Sequence, residues 1–475
     1  MRQLDRARLL ERVAVEVAGL AATYVRTQAG SATEAGIKTS PTDVVTRYEA
    51  WGGGSGPLIG RSEQLGRVVD AVADSGGGDA VLVTVMGEAG IGKTRLIDEV
   101  RQRLDTHRVI VCPCSEVASS EPLGPFHRTL MSAAGVRVAT DPDEARDRVA
   151  ALLAPYAQDP IALARLTLEL GFGAPPDLVL PPQTPEQNLR DIAGLYFDWF
   201  ARFGAARSMV LVIDDAHWID PTSRDLVLRL RSEAPQVPIV VATRPDEDAA
   251  SGLVEAATTV VELEPLSTEQ IEELLAAMVT EEHHTSVRAA AERSDGVPLF
   301  AEELGRVLTR EGDVSLAEIP NTLHDLLTIR LDALSNAKET AQVAATIGRD
   351  FDVAVLEHLV GADVVERDLP VLTSAGIVDS MASADRRRFR HSLLADAAYD
   401  SQLLDRKQDV HLQVADALTT AFPELAKASP HQVAIHLESG GRHADAAGSW
   451  LQAGMTTAAR GAHLEATDHF GRGLS

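Results

Sequence analysis

The feature that most constrains the fold is a glycine-rich loop between an apolar, β-branched run and a stretch with helical spacing. The run covers 81–86, the loop 87–94 and the helical stretch 95–100. The loop satisfies the pattern G-x-x-x-x-G-K-[ST] in a strand–loop–helix setting. Glycines let consecutive main-chain N–H groups point at one anion, and the helix N-terminus adds positive potential. The sequence therefore predicts a nucleotide phosphate site.

Two side chains of this loop have defined tasks in such a site. Lys93 is expected to reach the β- and γ-phosphates, and the Thr94 hydroxyl is expected to ligate Mg²⁺. The alternative interpretation is an ordinary glycine turn that joins a strand to a helix.

A second apolar run, 209–213, leads directly into Asp214 and Asp215. Such a run is typical of a central parallel strand whose C-terminal end faces the site. Asp214 is the candidate Mg²⁺ ligand, sharing the cation with Thr94 across neighbouring strand ends, and Asp215 is the candidate base that orients the attacking water. The alternative is a buried strand that leads to a helix N-cap at Asp220.

A third buried run, 237–242, ends in Thr243 and Arg244. Arg244 is a candidate sensor of the γ-phosphate that supplies positive charge as the transition state forms. A surface arginine beside Pro245 is the alternative. A further run, 258–263, is predicted to be the last strand of the same sheet, and the chain turns helical from Ser267 onward.

Taken together, these motifs resemble those of the STAND class of P-loop ATPases, which are related to AAA+ proteins. The resemblance is strongest to the ATPase modules of bacterial LuxR-type regulators and adenylyl cyclase-linked proteins. It covers about 57–475, and its most specific string is L-V-I-D-D-A-H-W at 211–218. The fold class it implies is an α/β P-loop NTPase with a parallel sheet, followed by an all-α lid, a winged-helix domain and TPR-like helical repeats.

The resemblance also implies contacts with ATP or ADP outside the glycine-rich loop. Ile59 and Gly60 would lie against the adenine with Arg61 bracing their turn, and Pro298 would either pack on adenine or be an ordinary first-turn proline. His391 would either meet the β-phosphate of ADP or be structural. His217 and Trp218 are interpreted as packing residues. The predicted nucleotide contacts are Ile59, Gly60, Arg61, Gly87, Glu88, Ala89, Gly90, Ile91, Gly92, Lys93, Thr94, Arg95, Pro298 and His391.

The expected domain organisation has six parts. The first resembles an N-terminal fragment of inositol monophosphatases through K-T-S-P-T-D-V-V-T at 38–46, but the metal-binding carboxylate run of that family is missing, so no phosphatase activity is expected. Two Ala-rich stretches near 443–450 and 463–470 echo one another, as TPR-like repeats do, and the sequence is expected to end inside a longer protein. The parts are the fragment 1–50, a linker 51–56, the NTPase core 57–266, the lid 267–318, the winged-helix domain 319–400 and truncated repeats 401–475.

Composition limits the partners. The formal net charge of −26 argues against a broad nucleic-acid or anionic-membrane surface. The basic run 386–388 is short and is interpreted as a solvated wing, so direct DNA contact is not expected. Cys112 and Cys114 are interpreted as buried thiols in a reducing compartment. Since no apolar stretch reaches the length of a membrane span, the chain is predicted to be cytoplasmic.

The sequence thus predicts a switch that binds ATP and Mg²⁺, hydrolyses ATP slowly and forms the regulatory part of a transcriptional regulator. An unknown signal ligand or protein is expected on the helical repeats, and self-association is expected to depend on the nucleotide. One alternative is a scaffold that uses nucleotide only as a structural ligand. The other is a sugar-phosphate phosphatase, which rests on 37–46 alone.

Overall fold

A computed structural model describes most of the chain beyond the N-terminal fragment. The described residues are 58–73, 80–104, 107–116, 119–137, 140–157, 159–176, 178–206, 208–245, 248–279, 284–311, 322–380 and 385–474. The predicted phosphatase-like fragment and its linker lie outside these ranges, as do the predicted junction between lid and winged-helix domain at 318–319 and the residues on either side of it.

Among the described residues, five parallel strands form the core sheet in the order β2-β3-β4-β1-β5. The apolar runs predicted as strands are confirmed, and their side chains are mostly buried because helices cover both faces of the sheet. The order places β4 between β1 and β3, so the expectation that Thr94 and Asp214 come from neighbouring strand ends is wrong. The strands are β1 (Leu82–Met86), β2 (Arg108–Pro113), β3 (Met209–Asp214), β4 (Ile239–Thr243) and β5 (Thr259–Glu262).

Helices pack on both faces of this sheet. Four helices of the described part of the chain lie between β2 and β3, and Asp141 and Asp159 begin two of them by accepting hydrogen bonds from main-chain N–H groups of the first turn. The helices are α1 (Ser62–Ala73), α2 (Lys93–Arg103), α3 (Gly124–Ala133), α4 (Pro142–Leu153), α5 (Pro160–Glu169), α6 (Pro185–Ala206), α7 (Pro221–Glu233) and α8 (Ser251–Glu255).

A helical segment with its own small core follows the sheet. It contains α9 (Thr268–Ala276), α10 (His284–Arg293) and α11 (Pro298–Glu311). The helical start predicted at Ser267 is confirmed, and it is capped: the Ser267 hydroxyl accepts from the Gln270 N–H, and the Gln270 side chain accepts from the Ser267 N–H.

Residues 322–400 combine helices with a small antiparallel sheet of order β6-β8-β7. The sequence pattern missed β6 and α15 of this region. The basic run is not a solvated wing: Arg388 is only 8% exposed and its Nη2 donates to Asp350 at 2.7 Å, while Arg386 pairs with Asp352 at 3.4 Å. The elements are α12 (Leu323–Asp332), α13 (Ala337–Ile347), β6 (Asp350–Asp352), α14 (Val353–Val360), α15 (Ala362–Ser374), β7 (Val378–Ser380), β8 (Arg386–Phe389) and α16 (Ser392–Asp400).

The C-terminal stretch is helical, as predicted, and consecutive helices pack on one another. Gly454 allows the ring of Phe470 to approach, since a Cβ at this position would lie 2.5 Å from it.

No helix in the described ranges is long and apolar enough to cross a membrane. The helices are α17 (Leu404–Thr420), α18 (Pro423–Ala428), α19 (Pro430–Ser439), α20 (His443–Ala459) and α21 (His463–Leu474).

The turn between α20 and α21 returns to the core. Ala462 is 2% exposed and belongs to the hydrophobic cluster formed by α3–α8 and one face of the sheet. A Cβ at Gly461, whose φ is +86°, would lie 2.6 Å from the main-chain carbon and oxygen of Pro185. The C-terminal helices therefore contact the core directly, at the start of α6.

Candidate nucleotide site

The glycine-rich loop connects β1 to α2 at the C-terminal edge of the sheet. Gly90 and Gly92 have φ angles of +77° and +103°, a backbone region that favours glycine. The Gly87 N–H donates to the Thr243 carbonyl at 3.3 Å, which fixes the start of the loop against the end of β4. Since α2 begins at Lys93, its first N–H groups have no partner within the helix and are available to an anion at this end.

Lys93 lies inside this loop. It is 8% exposed, and its Nζ donates to the carbonyls of Gly87 at 2.6 Å and Glu88 at 2.9 Å. Burial lowers the pKa of Lys93, and the charges of Asp215 and Asp214 partly offset that effect. The lysine of the loop and the two carboxylates at the end of β3 thus share one electrostatic environment.

Asp214 ends β3 as a buried carboxylate. It is 1% exposed, and neither carboxylate oxygen has a hydrogen-bond partner within the described ranges. Burial, and then the charge of Asp215, raise the pKa of Asp214 to about 7. A buried, unpaired carboxylate is costly, and a divalent cation would supply the charge and the ligand bonds that it lacks. The donor set of Asp214 and the exposed Thr94 hydroxyl fits Mg²⁺.

Asp215 has a partner that the sequence did not predict. Its φ is +53°, unusual for a residue other than glycine, and its Oδ2 accepts from Nη1 of Arg349, which precedes β6. Burial favours the neutral form of Asp215, but the Arg349 guanidinium outweighs it and holds the pKa below its usual range. The candidate base is therefore ion-paired with the C-terminal half of the chain.

Arg244 and His217 lie in the same charged surroundings. The positive charge of half-buried Arg244 disfavours protonation of both His217 and Lys93. His217 is 3% exposed, neither ring nitrogen has a partner among the described residues, and burial lowers its pKa to about 4. Its burial and its contact with the ring of Trp218 are compatible with the packing role that the sequence predicts for His217.

The turn that is predicted to contact adenine lies between the glycine-rich loop and α9. Ile59 is buried, and Gly60 has a φ of +68° with the Gln270 side chain 2.6 Å from where a Cβ would stand. The buried Arg61 donates from Nη2 to the carbonyls of Glu264 at 2.5 Å and Ile91 at 3.4 Å. Arg61 therefore ties this turn to the glycine-rich loop and to the connection that precedes α9.

The start of α11 contacts the glycine-rich loop. The Leu299 N–H donates to the Gly90 carbonyl at 3.3 Å, and a Cβ at Gly90 would lie 3.2 Å from the Leu299 Cβ. Pro298, half-buried, is the first residue of α11. The structure thus brings Pro298 to the edge of the loop that holds Lys93.

His391 and Arg95 are the two remaining predicted nucleotide contacts outside the glycine-rich loop. His391 is half-buried and immediately precedes α16; burial lowers its pKa to about 3, and the charge of Arg349 acts in the same direction. The guanidinium that pairs with Asp215 thus also disfavours protonation of His391. Arg95 pairs with Glu99 along α2 at 3.2 Å. Of the remaining loop residues, Glu88 is exposed and Ala89 is half-buried.

Comparison with known proteins agrees with this geometry. Residues 57–242 match the AAA ATPase domain family. An uncharacterised protein of Rhizobium meliloti is 28% identical over 451 residues, which cover 89% of this chain and 43% of that protein. The chain thus spans less than half the length of this relative.

Two solved structures of archaeal ATPases are similar to the chain. One is a signal transduction ATPase with numerous domains and a tetratricopeptide repeat sensor from Pyrococcus horikoshii, with a TM-score of 0.51 and 13% identity over 88% of this chain and 58% of that one. The other is a Walker-type ATPase of Pyrococcus abyssi, with a TM-score of 0.35 and 13% identity over 72% of this chain and 96% of that one. The core is a parallel-sheet P-loop ATPase fold, and the region that follows it is rich in helices.

Proposed function

We propose that this chain is a signalling switch that binds ATP and Mg²⁺ between the α/β core and the lid and hydrolyses ATP slowly. The observation that carries the proposal is the buried Asp214 carboxylate at the end of β3, which has no hydrogen-bond partner among the described residues and whose charge partly offsets the lowering of the Lys93 pKa by burial. A structural aspartate at such a place would have its hydrogen bonds satisfied by the protein.

Each residue of the site has a task in this proposal. The loop N–H groups and Lys93 bind the phosphates, while Thr94 and Asp214 hold Mg²⁺. When bound, Mg²⁺ neutralises phosphate charge and orients the terminal phosphate. Asp215 orients the attacking water and Arg244 offsets the charge that develops in the transition state.

The adenine base of the nucleotide is proposed to lie at the end of the site away from Asp214 and Asp215. Ile59 and Gly60 face it from the turn before α1, and Pro298 packs on it from the lid. The contact of Leu299 with Gly90 supports this arrangement, because it holds the start of α11 against the loop.

Residues 322–400 are proposed to act as a winged-helix domain that closes over ADP. Two helices, a strand, two helices and a two-stranded hairpin follow one another there, and the first strand pairs with the hairpin, as in a winged helix. In the closed state His391 contacts the β-phosphate. The ion pairing of Arg386 and Arg388 within this sheet supports an interdomain role rather than DNA binding.

The C-terminal helices are proposed to be TPR-like repeats that receive the signal. The solved Pyrococcus horikoshii protein carries a tetratricopeptide repeat sensor, and in this chain α21 contacts the core directly. A signal ligand or protein bound to these helices would change the balance between the closed and the open state. Self-association that depends on the nucleotide, and a regulatory role in transcription as in LuxR-type proteins, complete the proposal.

The proposal is tested by nucleotide binding and phosphate release. We expect Lys93→Ala to abolish ATP binding, and Asp214→Ala to abolish Mg²⁺-dependent phosphate release. Lys338→Ala is the matched control, because Lys338 pairs with Asp332 on α12 and stands apart from the site. A wild-type protein that binds no ATP, or a Lys93→Ala protein that binds it as before, would overturn the proposal.

A scaffold that binds nucleotide without hydrolysing it is the second candidate. The observation that favours it is the ion pair between Asp215 and Arg349, which engages the candidate base. Tight ATP binding with no phosphate release above that of Asp214→Ala would select the scaffold. Inositol phosphate release, the activity of the resembled phosphatases, is expected to be absent.

A further inference from the structure

Arg349 reaches the core from a rigid position. Its carbonyl accepts from the Phe389 N–H at 2.9 Å, and the next residue, Asp350, is held by Arg388. The main chain at Arg349 is therefore fixed to the small sheet of residues 322–400. Any movement of that sheet relative to the core moves the guanidinium as well.

Arg349 makes fewer hydrogen bonds to Asp215 than the neighbouring Arg388 makes to Asp350. Arg388 donates from both Nε and Nη2 to the two carboxylate oxygens of Asp350, a bidentate arrangement. Arg349 uses Nη1 alone on Oδ2 of Asp215, and its buried Nε has no partner within the described ranges. Such a pair lacks the second hydrogen bond that makes a guanidinium–carboxylate contact strong, so it is well suited to be exchanged.

The chemical consequence falls on Asp215. A carboxylate can orient a water molecule only with an oxygen that is free to accept its proton. The Arg349 guanidinium occupies Oδ2, and its positive charge makes both oxygens of the carboxylate weaker proton acceptors. Both side chains are largely shielded from solvent, at 21% and 18% exposure, so bulk water screens the pair weakly.

We propose that Arg349 is a positioning residue that restrains hydrolysis by holding the Asp215 carboxylate, so that turnover requires residues 322–400 to withdraw from the core. The inference rests on the proposed ATPase function. It assigns the restraint to a direct contact with the carboxylate and not to the nucleotide alone.

The test is Arg349→Gln in the full chain. We expect Mg²⁺-dependent phosphate release to rise about tenfold, the range for losing a hydrogen bond to a charged group, with the ATP dissociation constant unchanged. Arg367→Gln is the matched control, since Arg367 also pairs with an aspartate of residues 322–400 but is 56% exposed. A release rate that stays the same or falls in Arg349→Gln would overturn the inference, whereas a wild type that binds no ATP would count against the proposed function itself.

Hydrogen exchange tests the same contact without relying on activity. In the absence of nucleotide, amides of 214–219 are expected to exchange faster in Arg349→Gln than in the wild type. In the unmodified protein, 214–219 and 348–352 are expected to exchange faster with a non-hydrolysable ATP analogue than with ADP. Equal exchange in both nucleotides would contradict the proposal even if the variant fails to fold.

Discussion

Glu465 accepts two hydrogen bonds from Thr222, a residue 243 positions earlier in the chain. The Thr222 N–H donates at 3.0 Å and its hydroxyl at 2.7 Å, both to Oε1. Thr222 lies in the first turn of α7, where Asp220 also accepts from the Ser223 N–H at 2.8 Å. Glu465 therefore joins α21 to the first turn of α7, the helix that follows Asp214 and Asp215 in the chain.

Removing this contact should loosen the C-terminal helices from the core. In Glu465→Ala the N–H of the half-buried Thr222 loses its charged acceptor, which costs about 1–2 kcal/mol. We expect faster hydrogen exchange at 220–224 and a larger radius of gyration in solution scattering. Glu424→Ala is the control, because Glu424 and its partner Lys427 are both at least 70% exposed. Unchanged exchange at 220–224 in Glu465→Ala would show that the contact does not hold the helices.

A methyl group at Gly461 should separate the same surfaces. Its Cβ would stand 2.6 Å from the main chain of Pro185, and main-chain atoms cannot yield as a flexible side chain can. We expect Gly461→Ala to lower the midpoint of thermal unfolding and to expose the start of α6 to proteolysis. Gly471→Ala, where a Cβ would meet nothing within 4 Å, should leave both unchanged or add stability to α21. Equal behaviour of the two variants would contradict the close approach.

The ion pair of Arg388 and Asp350 should be essential for the small sheet. Burial alone would raise the pKa of Asp350, but Arg388 holds it well below its usual range. Arg388→Met would leave a buried, unpaired carboxylate, at a cost of about 3–5 kcal/mol in the free energy of unfolding. Arg442→Met, which removes a pair more than half exposed, should change that free energy by less than about 0.5 kcal/mol. Denaturant unfolding of both variants measures the difference.

Two buried histidines should make stability depend on pH. Nδ1 of His411 and Nδ1 of His436 are 2.8 Å apart, and the Tyr399 hydroxyl lies 2.9 Å from Nε2 of His411. Burial lowers the pKa of His411 to about 4, with Lys407 acting in the same direction, and that of His436 to about 3.

The sign follows from proton binding. Between about pH 6.5 and pH 4 the two histidines bind protons in the unfolded chain but stay neutral in the folded protein. The free energy of unfolding therefore falls as the pH falls, by up to about 1.4 kcal/mol per pH unit for each histidine. Urea unfolding between pH 7 and pH 5 should show a smaller pH dependence in a variant with His411→Asn and His436→Gln. The exposed His443→Gln serves as control. The same pH dependence in the paired variant and the wild type would rule out this origin.

Local sequence signals predicted most of the architecture. The strands were recognisable because parallel strands covered on both faces consist of continuous apolar runs, and the helix start at Ser267 because its capping box is local. Elements whose stability comes from packing were missed. The strand β6 has only three residues, and α15 contains Pro370, a residue that argues against a helix interior.

The sequence by itself determined the phosphate-binding loop, because glycines and the following helix N-terminus set its backbone within a few residues. It also placed Asp214 at a strand end, although not the strand order that puts β4 between it and the loop. Only the tertiary structure decided that Arg349 pairs with Asp215 and that Glu465 caps α7, since these partners lie 134 and 243 positions apart. No local pattern selects a partner at such separation. Packing brings the groups together, and burial then strengthens their interaction because the protein interior has a low dielectric constant.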